Sequence, residues 1–520
     1  MNPVCPEILP SEPLLLYRFS GDGSFESAEG EEKNMAALQE KLRDGWKPVI
    51  FGRTGCEDRW SAVLEQSGID SVEAYYRDGS FYKQLQRSGL VKKLRIGVMG
   101  AGRGKAMMRY CLEAGNAELA AVCDKYEQRL QEVRESYGKG QEIAYYTDFD
   151  AFLQHDMDCV VLANFAHQHA PFAIKCLKAG KHVISEVLPA QTLKEAVELV
   201  EAAEEAAKAG VRYFYAEDYC YFPATKKIKE MAEAGMLGEV EYAEGEYMHR
   251  YTPITWTNLT FANPRHWRNR MSAFFYCTHS LGPLVHIAGS RPVSVTGFEG
   301  PYTKRMEELG CNVGAYGIEM VRLENGAMLK SLHGDGAIRK SYYFSFYGSK
   351  GRLENARADT EQGYVRTLYG NVCNEDKTNP EHPQPSVIDT LDRLSDKAWG
   401  FKHYGADFYM MLNIVQALRG DRNADTVDVY EAMDMWLPGI FAFRSALAGG
   451  IPMEVPDFRR PEVRELWRND TACTDDEAAG SMLQPVSSMD TPEVPQSVFD
   501  GQYLAAQERG EAWAAKPPVI

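Results

Sequence analysis

Residues 94–106 read LRIGVMGAGRGKA, and the fold turns on how they are interpreted. Leu94 to Met99 is a short apolar run of the kind a strand makes when it is buried on both faces. Gly100-Ala101-Gly102-Arg103-Gly104 then turns the chain into a helix. A phosphate can approach the backbone N–H groups and the positive end of the helix dipole there, provided no side chain blocks it. Gly100 permits the tight turn and Gly102 the close approach of a pyrophosphate, although Lys105 stands where the third fingerprint glycine would be. Asp124 ends a second strand, ELAAVCD, 22 residues beyond Gly102. A carboxylate at that place accepts hydrogen bonds from both ribose hydroxyls and repels a 2′-phosphate, so the expected cofactor is NAD rather than NADP.

The same rhythm continues downstream. DCVVLANF, KHVISEV and VRYFYAE are further apolar strands, and helical patterns separate them. One helix, TLKEAVELVEAAEEAAKAG, opens with Thr192 and Glu195 at capping-box spacing. Continuous apolar strands alternating with helices predict a parallel sheet covered on both faces. After about residue 237 the period changes to two. GEVEYAEGEYMHRY, RPVSVTGF, GIEMVRLENGAMLKSL and YYFSFYGS read as long strands, with a hairpin turn at Glu324-Asn325-Gly326. Helices near 404–419 and 427–448 are expected to pack on or beside that sheet.

The predicted fold class is therefore an α/β Rossmann domain followed by an α+β domain with an open, mainly antiparallel sheet. Residues 93–218 form the NAD-binding domain and 219–465 the substrate and oligomerisation domain. Residues 1–92 are an α/β extension, with strand-like LLLYRF and KPVIFGR and a helix NMAALQEKLRDGW. Residues 466–520 are acidic and proline-bearing, which predicts an arm that is disordered or wraps a neighbouring subunit.

The net charge of −17 over 520 residues excludes nucleic acid and anionic membrane as main partners, since both need a basic face. Eleven scattered cysteines without a CxxC pair are the usage of a reducing compartment, and MNPVCPEILPSEP lacks the pattern of a signal peptide. A cytoplasmic protein is expected. His167 and His169 have a metal-like spacing but no third ligand nearby, so no metal is expected.

The third and fourth strands lie in ANFAHQHAPFAIKCLKAGKHVISEVLPAQTLKEA, which resembles the Gfo/Idh/MocA oxidoreductases. EDYCYFPATKKIKEM, MLGEV and DVYEAMDMWLPGIFAFRSALAGGIPMEVPDF extend the resemblance over roughly residues 93–460. Two departures stand out. Val187 follows Glu186 where the family's dehydrogenases usually place a lysine. Around His279 the usual DxGxHxxD motif keeps only its histidine, with Phe275 and Gly282 where acids would be. YCTHSLGP (Tyr276–Pro283), EVLPA (Glu186–Ala190) and HYGADFYM from His403 are instead similar to the family's branch of NAD-dependent glycosidases. Gly282-Pro283 is expected to interrupt the element that carries them.

That resemblance implies a redox-neutral cleavage of a glycoside. A hydride leaves a sugar carbon, taken to be C3, the ketone acidifies the C2 proton, and the aglycone departs by elimination. Water then adds and the hydride returns. His279 is the candidate base because imidazole titrates near working pH, with Tyr276 its partner in proton transfer. A tyrosine acts as a base only where neighbours depress its pKa. Glu186 is placed to orient the nicotinamide ribose or a sugar hydroxyl. Arg103, Asn164 and His169 join Gly100, Gly102 and Asp124 on the cofactor side; Tyr219, Trp267, Arg268 and His403 are the substrate candidates. A homo-oligomer is expected, because an open sheet needs its outer face covered. Two other readings stay open: a glycoside 3-dehydrogenase releasing the keto-glycoside, and a non-catalytic NAD-binding sensor.

Overall fold

In a computed structural model, the described residues are 93–355 and 386–515, apart from 115, 139, 141, 393 and 422, together with short strands at Leu14–Phe19, Phe25–Ser27, Glu32–Lys33, Lys47–Gly52 and Thr367–Val372. The first four strands, β1 to β4 in chain order, form one sheet in the order β3-β2-β1-β4. The helix expected within 34–46 lies outside the described residues.

The expected Rossmann strands are all present: β5 (Leu94–Met99), β6 (Ala117–Cys123), β8 (Cys159–Leu162), β9 (His182–Ser185) and β10 (Tyr213–Tyr215). A short β7 (Ala144–Tyr146) joins them, and the order is β10-β9-β8-β5-β6-β7. β5 pairs in parallel with β6 and β8, and β6 with β7. The sheet's strands are mainly apolar because both faces are covered; Ile96, Val98, Val122 and Val161 have no exposed surface. Helix Leu193–Ala207 opens as the capping box requires. Thr192 Oγ1 accepts from the Glu195 N–H at 3.2 Å, and Glu195 returns a bond to the Gln191 N–H at 2.8 Å.

A second, nine-stranded sheet contains β11 (Val240–Arg250), β12 (Pro292–Glu299), β13 (Gly317–Leu323), β14 (Met328–Gly334), β15 (Gly336–Gly348), β16 (Gly351–Asn355), β17 (Thr367–Val372), β18 (Ser386–Asp389) and β19 (Met453–Glu454). Their order is β18-β17-β16-β15-β11-β14-β13-β12-β19. Gly326, at φ +92°, makes the hairpin between β13 and β14. The sheet is not wholly antiparallel: β11 and β14 run parallel.

The chain divides into two compact units, one of Met1–Asn164, Ala179–Ile184 and Asp392–Thr426, the other of Phe165–Lys178, Ser185–Leu391 and Val427–Ile520. This division corrects one expectation. Helix Val429–Leu447 does pack on β12 of the large sheet, but helix Ala406–Leu418 packs within the first unit, against Lys105–Glu113. There the Tyr110 and Phe408 rings lie 5.7 Å apart, an aromatic contact the local sequence could not announce. Residues 466–520 are expected to be an arm that is disordered or wraps a neighbouring subunit; the described part of it carries ordered elements. Helix Gln496–Glu508 packs on its own unit, with Phe499 buried, Gln502 donating to the Glu308 carbonyl and Thr491 to that of Asn312. The described cysteines are free and buried, and no described helix is long and apolar enough to cross a membrane.

Candidate active site

The first unit holds the glycine-rich turn. Gly100 has φ +96°, a left-handed backbone that favours glycine, and a Cβ there would run into the Ala163 carbonyl oxygen. A Cβ on residue 102 would occupy the space of the Arg129 guanidinium, so a cation stands directly over the turn. Among the described residues no side chain caps the helix that follows at Lys105, an end whose first N–H groups suit an anion. Asp124 is buried at the end of β6, where its Oδ2 accepts from Ala101 N–H and its Oδ1 from Tyr126 N–H, both at 2.9 Å. These bonds aim the carboxylate at the turn and leave lone pairs for ribose hydroxyls. The residues present therefore fit NAD.

Arg103 and His403 meet at Asp407, at the start of the helix that follows His403. Arg103 makes a bidentate pair with the fully buried Asp407 at 2.7 and 2.9 Å. His403 Nδ1 lies 3.2 Å from the same carboxylate. Burial pushes the Asp407 carboxyl up, but Arg103 and His403 together hold it well below the usual carboxylate range. His403 and Tyr404 take positive φ values of 49° and 57° just ahead of helix Ala406–Leu418. That turn swings His403 back over Asp407 on the first helical turn.

The second unit assembles the other candidates around His279. Helix Thr278–Ala288 carries it and, contrary to expectation, continues through Gly282-Pro283. The proline removes only the bond to the His279 carbonyl, and a preceding glycine has no Cβ to clash with the proline ring. Glu217 Oε1 accepts from His279 Nδ1 at 2.7 Å, with Asp218 Oδ1 at 3.9 Å. A carboxylate on Nδ1 fixes the tautomer and makes Nε2 the basic nitrogen. Glu217 is fully buried, and a Cβ on Gly282 would come within 3.0 Å of its Cγ.

Three tyrosines enclose the imidazole. Tyr219 stacks on it with centroids 4.3 Å apart, Tyr247 lies at 4.9 Å, and Tyr276 meets it edge-on at 5.1 Å. Burial raises the Tyr276 phenol, while a hydrogen bond and charge from Arg268 pull the other way without prevailing. Tyr276 is thus a proton donor near neutral pH, and the condition set for its acting as a base is not met. Burial pulls Arg268 down, but Tyr276, Tyr251 and Asp335 hold it above its usual range, a permanent cation. Glu186 is buried and faces Tyr276 electrostatically. His169 Nδ1 binds the Leu188 carbonyl at 2.9 Å, tying its helix to the loop after β9.

Sequence reasoning missed Glu217, Tyr247, His333 and Asp335. A cavity of about 320 Å³ lies beside Arg268 and Tyr276, with His333 and Asp335 on its wall. Burial pushes the Asp335 carboxyl up to about 6, against the pull of Arg268 and His279. Burial, reinforced by His279, pushes the His333 imidazole down to about 3, so it is neutral. Asp335 sits between two glycines, which alone reads as a turn; Glu217 stood in the quoted EDY and was legible only as an approximate match. Glu217, Asp218 and His279 also bring three possible metal donors within 4.8 Å of one another. The 2.7 Å contact engages two of those donors in a hydrogen bond.

Comparison with known proteins bears on the fold. Residues 94–215 match the model of an oxidoreductase family with an NAD-binding Rossmann fold. An α-N-acetylgalactosaminidase of Bacteroides fragilis is 27% identical over 413 residues, covering 71% of this chain and 92% of that protein. A glycosyl hydrolase family 109 protein of Solibacter usitatus is 24% identical over 396 residues, covering 71% and 88%. The fold is shared with the WlbA dehydrogenase of Bordetella pertussis in complex with NADH and UDP-GlcNAcA, at a TM-score of 0.56 and 20% identity over 70% of this chain and 98% of that one. Levoglucosan dehydrogenase in complex with NADH and levoglucosan matches at a TM-score of 0.56 and 17% identity, covering 70% and 100%. With its glycine turn, its Asp124 and its strand order, the segment 94–215 is thus similar to the NAD-binding Rossmann domain of the Gfo/Idh/MocA oxidoreductases.

Proposed function

We propose that the protein is an NAD-dependent enzyme that oxidises a sugar hydroxyl of a glycoside, at C3, and cleaves the glycoside without net redox change. The observation that carries the reading is the buried Glu217–His279 pair inside its cage of tyrosines. Similarity to glycosyl hydrolase family 109 proteins over 71% of the chain supports the substrate class. NAD, when bound, supplies a reversible acceptor for the sugar hydride.

The chain's own residues do the rest. His279, held by Glu217, takes the hydroxyl proton through Nε2 and returns it at the end. Tyr276, protonated and backed by the Arg268 cation, donates a hydrogen bond to the sugar oxygen as it gains charge during C2 deprotonation. Asp335, its carboxyl near 6, is ionised at neutral pH and suited to the C2 proton. Arg129 and the uncapped helix at Lys105 hold the pyrophosphate, and Asp124 the ribose. A second copy covering the large sheet belongs to the same reading, since Phe298 and Ile318 are paired across β12 and β13 and exposed.

Incubation with glycosides in heavy water tests the route. Deuterium at C2 of the released sugar, with no lasting rise in reduced nicotinamide, is the expected result. Keto-glycoside accumulating with NADH would replace it with the 3-dehydrogenase reading, and an unchanged nicotinamide spectrum across a broad glycoside panel would refute catalysis.

A further inference from the structure

The second unit contains another cavity, of about 550 Å³ including the solvent space at its mouth. One wall is Trp267, Met271 and Phe275, which pack in the same apolar cluster as Tyr276. Ala472, Thr474 and Gln484 also line it, from the C-terminal segment that the family resemblance does not reach. Trp267 is 9% exposed and its indole N–H has no hydrogen-bond partner among the described residues. A buried donor without an acceptor costs free energy unless something supplies one. Arg268 lies over the Trp267 ring at 4.6 Å and over the Tyr276 ring at 5.6 Å, so one side chain bridges the cavity and the catalytic tyrosine.

We infer that this cavity is the aglycone subsite, that it takes a planar ring bearing a hydrogen-bond acceptor, and that the C-terminal segment sets its specificity. The inference rests on the glycosidase reading for its link to the sugar. Flat apolar side chains suit a ring, and the Trp267 N–H suits a ring substituent with a lone pair. Arg270 is paired with Asp476 at 3.4 Å and Asp475 also lines the wall, so no unbalanced positive charge invites a phosphate. The C-terminal wall positions the aglycone at a distance from the bond-making residues. It therefore governs which glycosides bind, and the chemical step keeps its own residues.

The test is calorimetric titration of the NAD-loaded protein with p-nitrophenyl glycosides, the matching methyl glycosides and p-nitrophenol alone. The wild type is expected to bind the p-nitrophenyl member of each pair about tenfold more tightly. Ala472→Trp, which fills the cavity, is expected to abolish that preference while leaving the methyl glycoside Kd unchanged. Trp267→Phe keeps the ring, removes the donor and should reduce the preference about fivefold, the worth of one hydrogen bond. A preference that is the same in wild type and both variants overturns the inference. If no glycoside binds but p-nitrophenol binds the wild type and not Ala472→Trp, the glycosidase reading fails and the cavity stands as an aromatic-ring site.

Discussion

Glu319 offers a stability test with a calculable sign. It is fully buried on β13, directly opposite Ser331 of β14. Burial pushes its carboxyl up to about 8 from the usual 4.5, with the neighbouring Ser331 hydroxyl pulling down less strongly. The folded chain thus keeps this proton through neutral pH, whereas the unfolded chain releases it near 4.5. Stability from this group is fully present below about 4.5 and is lost as pH rises towards 8. At about 1.4 kcal/mol per pH unit, the loss reaches roughly 3 kcal/mol at pH 7 and nearly 5 kcal/mol above pH 8. Glu319→Gln keeps the shape and has no proton to release. The variant should therefore match the wild type near pH 4 and exceed it at pH 8 by about 5–10 °C in Tm, at roughly 1–2 °C per kcal/mol for a unit of this size. Glu195, Asp335 and Asp434, each pushed up to about 6 by burial, titrate alike in both proteins and cancel in the difference. Thermal unfolding at half-unit pH steps from 4 to 9 measures the effect. Parallel curves, or a wild type more stable than the variant at pH 8, would refute the reasoning.

The site yields three further expectations. Glu217→Gln keeps the hydrogen bond but lets His279 adopt the wrong tautomer, so kcat should fall on the order of 10³- to 10⁴-fold with the fold intact by circular dichroism; a loss under tenfold would remove Glu217 from the mechanism. Asp335→Asn should abolish the acid limb near pH 6 in the rate profile, because the carboxyl works only when ionised; an unaltered limb would assign it to another group. Gly100→Ala places a methyl against the Ala163 carbonyl on a left-handed backbone, so NAD affinity by fluorescence titration should drop at least about tenfold. Unchanged affinity there would mean that the turn does not approach the cofactor.

Much of the framework was legible because burial writes itself into strands. LRIGVMG, ELAAVCD and DCVVLANF are apolar at successive positions, which only a doubly covered sheet explains. The placement of Gly100 and Asp124 was equally legible, since it depends on backbone geometry within one βαβ unit. What escaped were groups whose meaning comes from distant partners. Asp407 sits 304 positions from Arg103, and nothing in HYGADF foretells that pair. Tyr247 is one alternating residue of β11 until folding lays its ring beside His279. In the C-terminal segment, charges and prolines suggest an arm that is disordered or wraps a neighbour, and composition does not reveal the buried Phe499 or the Ser488 bond to Glu299. Average hydrophobicity is a poor guide when a few side chains carry the docking.

The apparent loss of acids around His279 illustrates the same point at the level of chemistry. Related dehydrogenases place an acid three residues after this histidine, where the present chain has Gly282. The structure brings a carboxylate to the imidazole from Glu217 instead, 62 positions earlier. The two features depend on each other. Residue 282 is one turn along the helix from His279, and even a single methyl there would press within 3.0 Å of Glu217 Cγ and 3.3 Å of Met435 Sδ. An aspartate would add a like charge beside a fully buried carboxylate, which is costly in a poorly solvated site. Glycine at 282 is therefore what allows Glu217 to reach His279. The same absence of a Cβ lets the helix continue into Pro283 and so keeps His279 on a rigid element. A motif that looks degraded in the sequence is thus a relocated acid with the space cleared for it.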